Sequence, residues 1–269
     1  MAHSILIEVC IDSVESAMSA IRGGANRLEV CGNLALGGGT TPSLGLLKAV
    51  QEAVESFQVP IMVMIRPRAG DFLYSESEMQ IMIEDIRIFN ENGVEGFVFG
   101  VLTEEGRVDV ARTKRGSIQW LVCFHRAFDM TRDPMEGQET SPSIIDIMRI
   151  GGISHILTSG QGKSASQSLE ILASLLKATR NSQDQSSSLT IMPGSGINPN
   201  TVGHVVNTLL PLGLSEIHLS GGSWMEGGMS FRREGMGMGV GGKGDWGIWR
   251  TDEGVVREVK AEVEAMQME

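Results

Sequence analysis

Eight short runs rich in β-branched and apolar residues recur along the chain, at 5–10, 27–31, 60–65, 96–102, 120–125, 155–158, 189–192 and 216–220. Their starts lie roughly 30 residues apart, the length of one strand-plus-helix unit. The gaps between them carry helical periodicity. Val14, Ala17, Met18 and Ile21 share one face, with Asp12 or Ser13 as cap and Gly23-Gly24 as stop. Thr41-Pro42 reads as a cap and first turn ahead of Leu44, Leu47 and Val50. Ser75 and Glu78 form a capping-box pattern before Met79, Met82, Ile83, Ile86 and Phe89. Ser141-Pro142 opens a helix through Ile144, Ile145 and Met148. Further apolar faces follow at Leu169–Leu176, Val202–Leu209 and Val255–Val263. Strands alternating with helices imply parallel pairing. Eight such units in 269 residues predict a single-domain (β/α)8 TIM-like barrel. The competing doubly wound sheet would carry a Gly-x-Gly-x-x-Gly turn after strand one, where this chain reads Cys10-Ile11-Asp12-Ser13.

Two stretches break the pattern. Residues 181–188 are polar and read as a solvated loop. Residues 221–247 hold 11 of the 34 glycines. They form an irregular segment before the last helix, either a lid over the barrel mouth or a disordered excursion. The fourth helix, between 108 and 118, is expected to be truncated.

Alternation along the strands places the chemistry. Glu8 and Cys10 share a face of strand one; Arg27, Glu29 and Cys31 share one of strand two. Met62, Met64 and Arg66 share one of strand three, Cys123 and His125 one of strand five, and Glu216, His218 and Ser220 one of strand eight. The opposite faces are wholly apolar and suit contact with the outer helices, so these mixed faces point inward. Barrel interiors are usually filled with branched apolar residues, and buried charges are costly unless paired. The inward groups should therefore form a network, and the C-terminal ends of strands are where barrel active sites lie. A purely structural ion-pair layer is the alternative reading.

Both Cys10 and Cys31 close a strand with Glu-Val-Cys. On neighbouring strands about 4.8 Å apart, two inward thiols at matching heights could bind a soft metal such as Cu(I). Glu8, Glu29, His125, Asp129 and His218 are candidate acid–base groups. Arg66, Arg68 and Arg126, with the glycine-rich turns at Ser195, Gly196 and Gly221, are candidates for binding an anion. Together these define a second functional possibility, an enzyme acting on a small anionic or phosphorylated metabolite at the C-terminal face. A third is an interaction scaffold whose charges are structural. Cys123 and most of the 16 methionines read as core filling.

Composition narrows the classes. A net charge of −11 argues against general nucleic-acid binding. No apolar run approaches the ~18 residues of a membrane span. Met1-Ala2-His3-Ser4 has no signal-like character, and three cysteines suit a reducing compartment. A cytoplasmic location is expected.

The motifs Glu8-Val-Cys10, Gly24-Ala-Asn-Arg-Leu-Glu-Val-Cys31, Ile65-Arg-Pro-Arg-Ala-Gly-Asp-Phe-Leu-Tyr74, Phe124-His-Arg-Ala-Phe-Asp129, Leu157-Thr-Ser-Gly160 and Glu216-Ile-His-Leu-Ser220 resemble those of the CutC copper-homeostasis family. The resemblance spans nearly the whole chain. It implies a (β/α)8-like barrel, an intracellular role in copper handling, self-association as a homo-oligomer, and Cu(I) binding at the positions of Cys10 and Cys31.

Overall fold

The computed structural model describes residues 4–36, 38–117, 121–132, 141–180 and 189–268. The eight apolar runs are the strands β1 (Leu6–Ile11), β2 (Arg27–Val30), β3 (Ile61–Met64), β4 (Gly96–Phe99), β5 (Leu121–Phe124), β6 (Ile153–Thr158), β7 (Thr190–Pro193) and β8 (Glu216–Leu219). Seven parallel ladders join them in the order β7-β6-β5-β4-β3-β2-β1-β8. β7 and β8 lie against each other, but among the described residues no ladder links them. The result is a nearly closed (β/α)8 barrel.

The helices are α1 (Val14–Gly23), α2 (Leu44–Val54), α3 (Glu76–Glu91), α4 (Val110–Ser117), α5 (Pro142–Ile150), α6 (Leu169–Arg180), α7 (Pro199–Leu209) and α8 (Glu253–Met268). Their ends follow local chemistry. Ser13 caps α1, and Gly24 closes it in a left-handed conformation (φ 100°) that favours glycine. Ser75 and Glu78 make a reciprocal capping box on α3. Ser141 and Asn198 cap α5 and α7, each followed by proline. The fourth helix is short, eight residues. The start of α2 differs from expectation: Ser43, not Thr41, is the cap. Thr41 is held elsewhere, because its Oγ1 accepts the Arg66 N–H at 2.9 Å and its own N–H donates to the Arg66 carbonyl at 2.8 Å.

Residues 221–247 begin and end in order. Gly222–Met225 (β9) pairs antiparallel with Ile248–Thr251 (β10), and Trp224 and Trp249 meet edge to face with ring centroids 5.6 Å apart. Thr251 anchors this ribbon. Its N–H donates to the Ser16 hydroxyl and its own hydroxyl donates to the Ser220 carbonyl, both at 3.1 Å. Residues 226–247 between the strands are largely exposed. The polar stretch 181–188 and the Trp120 end of the fifth run lie outside the described residues.

Two cores result. The larger packs the outward strand faces against the helices through residues such as Ile7, Val9, Leu28, Val63, Phe97, Ile156 and Val205. The smaller fills the barrel: Cys10, Cys31, Met62, Met64, Val98, Cys123, Leu157 and Met192. Six of its eight members carry sulfur. Unbranched thioethers adapt to irregular gaps, which suits an interior shared with charged groups.

Candidate metal and ligand site at the barrel mouth

The strand registers decide which inward groups meet. Glu8 pairs with Arg27 on one side and His218 on the other. One pleat further toward the mouth, Cys10 pairs with Glu29. Cys31 lies beyond β2, past the rung where Ile11 meets Val30. The matching-height expectation for the two cysteines is therefore corrected. The stagger between β1 and β2 sets Glu29, not Cys31, beside Cys10. Cys31 is fully buried in the sulfur-rich core and contacts the Glu29 carbonyl at 3.9 Å.

Deeper in the barrel the charges form a continuous chain. Arg27 binds Glu8 through Nε and Glu216 through Nη2, the latter at 2.5 Å. Glu216 Oε1 meets His155 Nε2 at 3.1 Å, and His155 Nδ1 meets the Ser154 hydroxyl at 2.7 Å. On the mouth side, Glu8 Oε1 lies 2.7 Å from His218 Nδ1. Structural and functional readings thus apply to different layers. The Arg27–Glu216 ion pair, with His155 hydrogen-bonded to Glu216, is a buried structural floor. Neither Arg27 nor His155 is a site candidate from sequence, although alternation does place Arg27 on the inward face, one pleat below Glu29.

Above this floor, Cys10, Glu29 and His218 bring one ligand atom each to within 4.8 Å of one another, and all three are buried. Burial alone would raise the Glu8 carboxyl, but the His218 hydrogen bond and the Arg27 charge outweigh it and hold Glu8 at about 2. Glu29 is pushed up to about 7, chiefly by burial and further by the Glu8 charge. Burial opposes charge on His218, yet its hydrogen-bond partners Cys10 and Glu8 and the nearby Glu29 charge carry it well above the ordinary imidazole range. Burial raises the Cys10 thiol, with His218 pulling the other way. It raises Cys31 much further.

The donor set fits a soft ion. Zinc bonds to nitrogen and sulfur are roughly 2.0–2.3 Å long, so two donors on opposite sides of an ion stand at most roughly 4–4.6 Å apart. The three donors, all within 4.8 Å of one another, would draw in to hold one ion. Thiolate and imidazole suit Cu(I). Glu8 on His218 Nδ1 leaves Nε2 toward Cys10 and Glu29, the carboxylate–histidine arrangement that orients metal-binding imidazoles.

The site opens into a cavity of about 1070 Å³ whose lining includes Cys10, Glu29, His218, Arg66, Phe72, His125, Arg126, Asp129, Ser195, Gly196 and Gly221. Arg66 is fixed by Nη1 to the Gly39 carbonyl at 3.0 Å and Nη2 to the Gly70 carbonyl at 3.1 Å. Arg68 is not part of the lining. It organises its own loop through Glu78 at 2.6 Å, Asp71 at 3.1 Å and the Leu73 carbonyl at 2.9 Å. Asp129 spends both oxygens on structure. It accepts from the Ser159 N–H and hydroxyl, the Thr158 hydroxyl, the Gln161 N–H and Arg126 Nε, all at 2.5–3.2 Å. The sequence assigns no role to Thr158 and Ser159, which stand there only as a strand end within one of the family motifs.

His125 caps the short 3-10 turn Arg126–Met130, its Nδ1 accepting the Ala127 N–H at 3.2 Å. Burial, with the Arg66 charge adding, lowers its pKa to about 3. The unfolded chain, at about 6.5, binds more protons between these values, so His125 makes stability fall as pH drops from about 6.5 toward 3. His125→Gln removes this component. The gap in melting temperature between the natural chain and H125Q should be widest near pH 7.5 and narrow by pH 4.5. A gap constant across that range would refute the assignment.

Fold and site define a class, a (β/α)8-barrel protein whose mouth carries a thiol–imidazole–carboxyl cluster. The comparisons with known proteins agree with that outline. The CutC family model matches residues 5–223. A human copper homeostasis protein cutC homolog is 40% identical over 242 residues, covering 89% of this chain and 81% of its own. A CutC family protein of Vibrio vulnificus strain YJ016 is 41% identical over 259 residues, covering 94% and 96%. A solved structure from Streptococcus agalactiae, described as a putative copper homeostasis protein CutC, superposes with a TM-score of 0.70 at 27% identity, covering 80% of this chain and 98% of that one. The chain belongs to the CutC family. Among the described residues no helix is long and apolar enough to cross a membrane.

Proposed function

We propose that this chain handles copper as a Cu(I)-binding protein, with Cys10 Sγ and His218 Nε2 as ligands at the cavity floor and Glu29 beside them. The observation that carries this reading is the convergence of the three groups from β1, β2 and β8 within 4.8 Å. The family's copper-homeostasis relatives support it. Binding requires the thiolate and the neutral imidazole, so copper entry would displace protons from Cys10 and His218. Glu8 and Arg27 would hold the imidazole in orientation from behind.

Competition with a chromogenic Cu(I) chelator under anaerobic conditions tests this. Cys10→Ser should abolish stoichiometric binding, and Glu8→Gln should weaken it roughly 10–100-fold, the usual effect of removing a partner that orients a ligand. Cys31→Ser should have a smaller effect than Cys10→Ser. Equal losses at both cysteines would favour a paired-thiolate site, as the family resemblance implies. Unchanged affinity in Cys10→Ser would refute a site at this cluster.

A further inference from the structure

The copper reading uses only the floor of the cavity. At about 1070 Å³ the whole space is at the upper end of pockets that enclose small organic molecules, far more than one ion occupies. Its β5 side carries a polar group that the described residues leave unsatisfied. His125 Nδ1 accepts the Ala127 N–H, so the neutral ring holds its proton on Nε2. His125 is 3% exposed, and among the described residues Nε2 has no hydrogen-bond partner. A buried donor in that state keeps the full cost of its desolvation, and such groups are uncommon unless a ligand or a bound water completes them.

Beside it stands a fixed positive charge. The His125 ring centroid is 4.9 Å from that of Phe72, and the Arg66 guanidinium carbon is 5.1 Å from the same ring. Arg66 is buried and held by two backbone carbonyls, so little side-chain freedom remains to be lost on binding. Leu157 and Ile197 add apolar wall to the same cavity.

We propose that the oxyanion head of a small organic ligand, a carboxylate or a phosphate ester, docks against His125 and Arg66 and accepts the Nε2–H. Phe72, half-buried against the His125 ring and lining the same cavity, is the side chain whose displacement would let the ligand reach Nε2. The neutral imidazole acts as a hydrogen-bond donor and the guanidinium supplies the charge. None of Cys10, Glu29 or His218 takes part, so this inference stands or falls apart from copper binding.

The test uses metal-free, full-length protein with 15N-labelled histidine, titrated at constant ionic strength with inorganic phosphate and separately with acetate. A saturable shift of the His125 Nε2–H resonance is expected with at least one of them. Acetate alone points to a carboxylate ligand and phosphate alone to a phosphate ester. The His125 resonance is identified by its loss in His125→Gln. Arg66→Met and His125→Phe should each weaken binding by at least about tenfold, the scale of one charge-assisted hydrogen bond. His125→Gln keeps an N–H near the Nε2 position and should weaken binding less than His125→Phe. The absence of a saturable shift with either anion overturns the proposal, as does undiminished affinity in Arg66→Met. Both readouts remain decisive if His125→Phe fails to fold.

Discussion

Replacing Arg27 with methionine is expected to destabilise the barrel by about 3–5 kcal/mol, the usual cost of breaking a buried ion pair from one side. For a chain of this size that is roughly a 10 °C fall in melting temperature. Arg27 is 6% exposed and bridges Glu8 and Glu216. Its loss strands two carboxylates that burial would otherwise force to take up protons. Glu8 has its folded pKa held down to about 2, so its stabilising contribution is complete above the ordinary carboxylate range and disappears as pH falls through 2. Without Arg27 that contribution shrinks. The deficit of the variant should therefore be largest near neutral pH and smaller in acid. Arg27→Lys should recover only part, because an ammonium lacks the planar fork that addresses two carboxylates. Calorimetric melts of the three proteins at pH 7 and pH 4 provide the measurement. A loss under about 1 kcal/mol at pH 7 would mean the floor of the barrel is not an interlocked charge network.

Two glycine-to-alanine changes should move stability in opposite directions. Gly96 opens β4 where it pairs with Leu121 and Met62. A Cβ there would lie 2.3 Å from the Leu121 carbonyl oxygen and 2.9 Å from Leu121 Cβ. The obstacle is backbone, so neighbouring strands must part. Overpacking of this kind costs about 1–3 kcal/mol for Gly96→Ala, and more for Gly96→Val. Gly45 lies in the first turn of α2, where the nearest atom to a new Cβ is the Ser43 hydroxyl oxygen at 3.9 Å. Gly45→Ala should stabilise by up to about 1 kcal/mol through helix propensity alone. Urea unfolding of both variants reads the contrast. A neutral Gly96→Ala would show that β4 and β5 can separate without penalty.

The sequence made the strands and helices visible because each carries a period that one segment displays by itself. Val14, Ala17 and Ile21 announce a helix without reference to anything else in the chain. Two misreadings share a different cause. Thr41-Pro42 is as good a local start for α2 as Ser43, and only a hydrogen bond to Arg66, 25 residues away, removes Thr41 from contention. Cys10 and Cys31 end identical tripeptides, but parallel register depends on the whole barrel, and it set Glu29 beside Cys10. Inward faces were readable from alternation; which inward groups touch was not. Asp129 illustrates the same limit. A carboxylate near a strand end is an acid–base candidate by position, while its loop partners become known only once Thr158, Ser159 and Gln161 are brought back to it. The ribbon formed by Gly222–Met225 and Ile248–Thr251 was missed because 22 residues of irregular, glycine-rich chain separate its halves.

The missing ladder between β7 and β8 gives the barrel a seam. Its mechanical consequence concerns how the mouth can widen. β8, β1 and β2 are consecutive in the ladder, so the strands bearing His218, Cys10 and Glu29 travel together as one stiff plate. β5, which ends just before His125, belongs to the far side of the same sheet, four ladders from β1. Spreading β7 from β8 would break no backbone ladder among the described residues. The His155–Glu216 contact from β6 to β8 and the Arg27 Nη2–Met192 Sδ bond from β2 to β7 nevertheless span the seam and latch it near the barrel floor. Any widening would be confined to the mouth above that latch, where it would leave the spacing of the thiol, imidazole and carboxyl groups fixed, as a clasped ring can part only beyond its clasp.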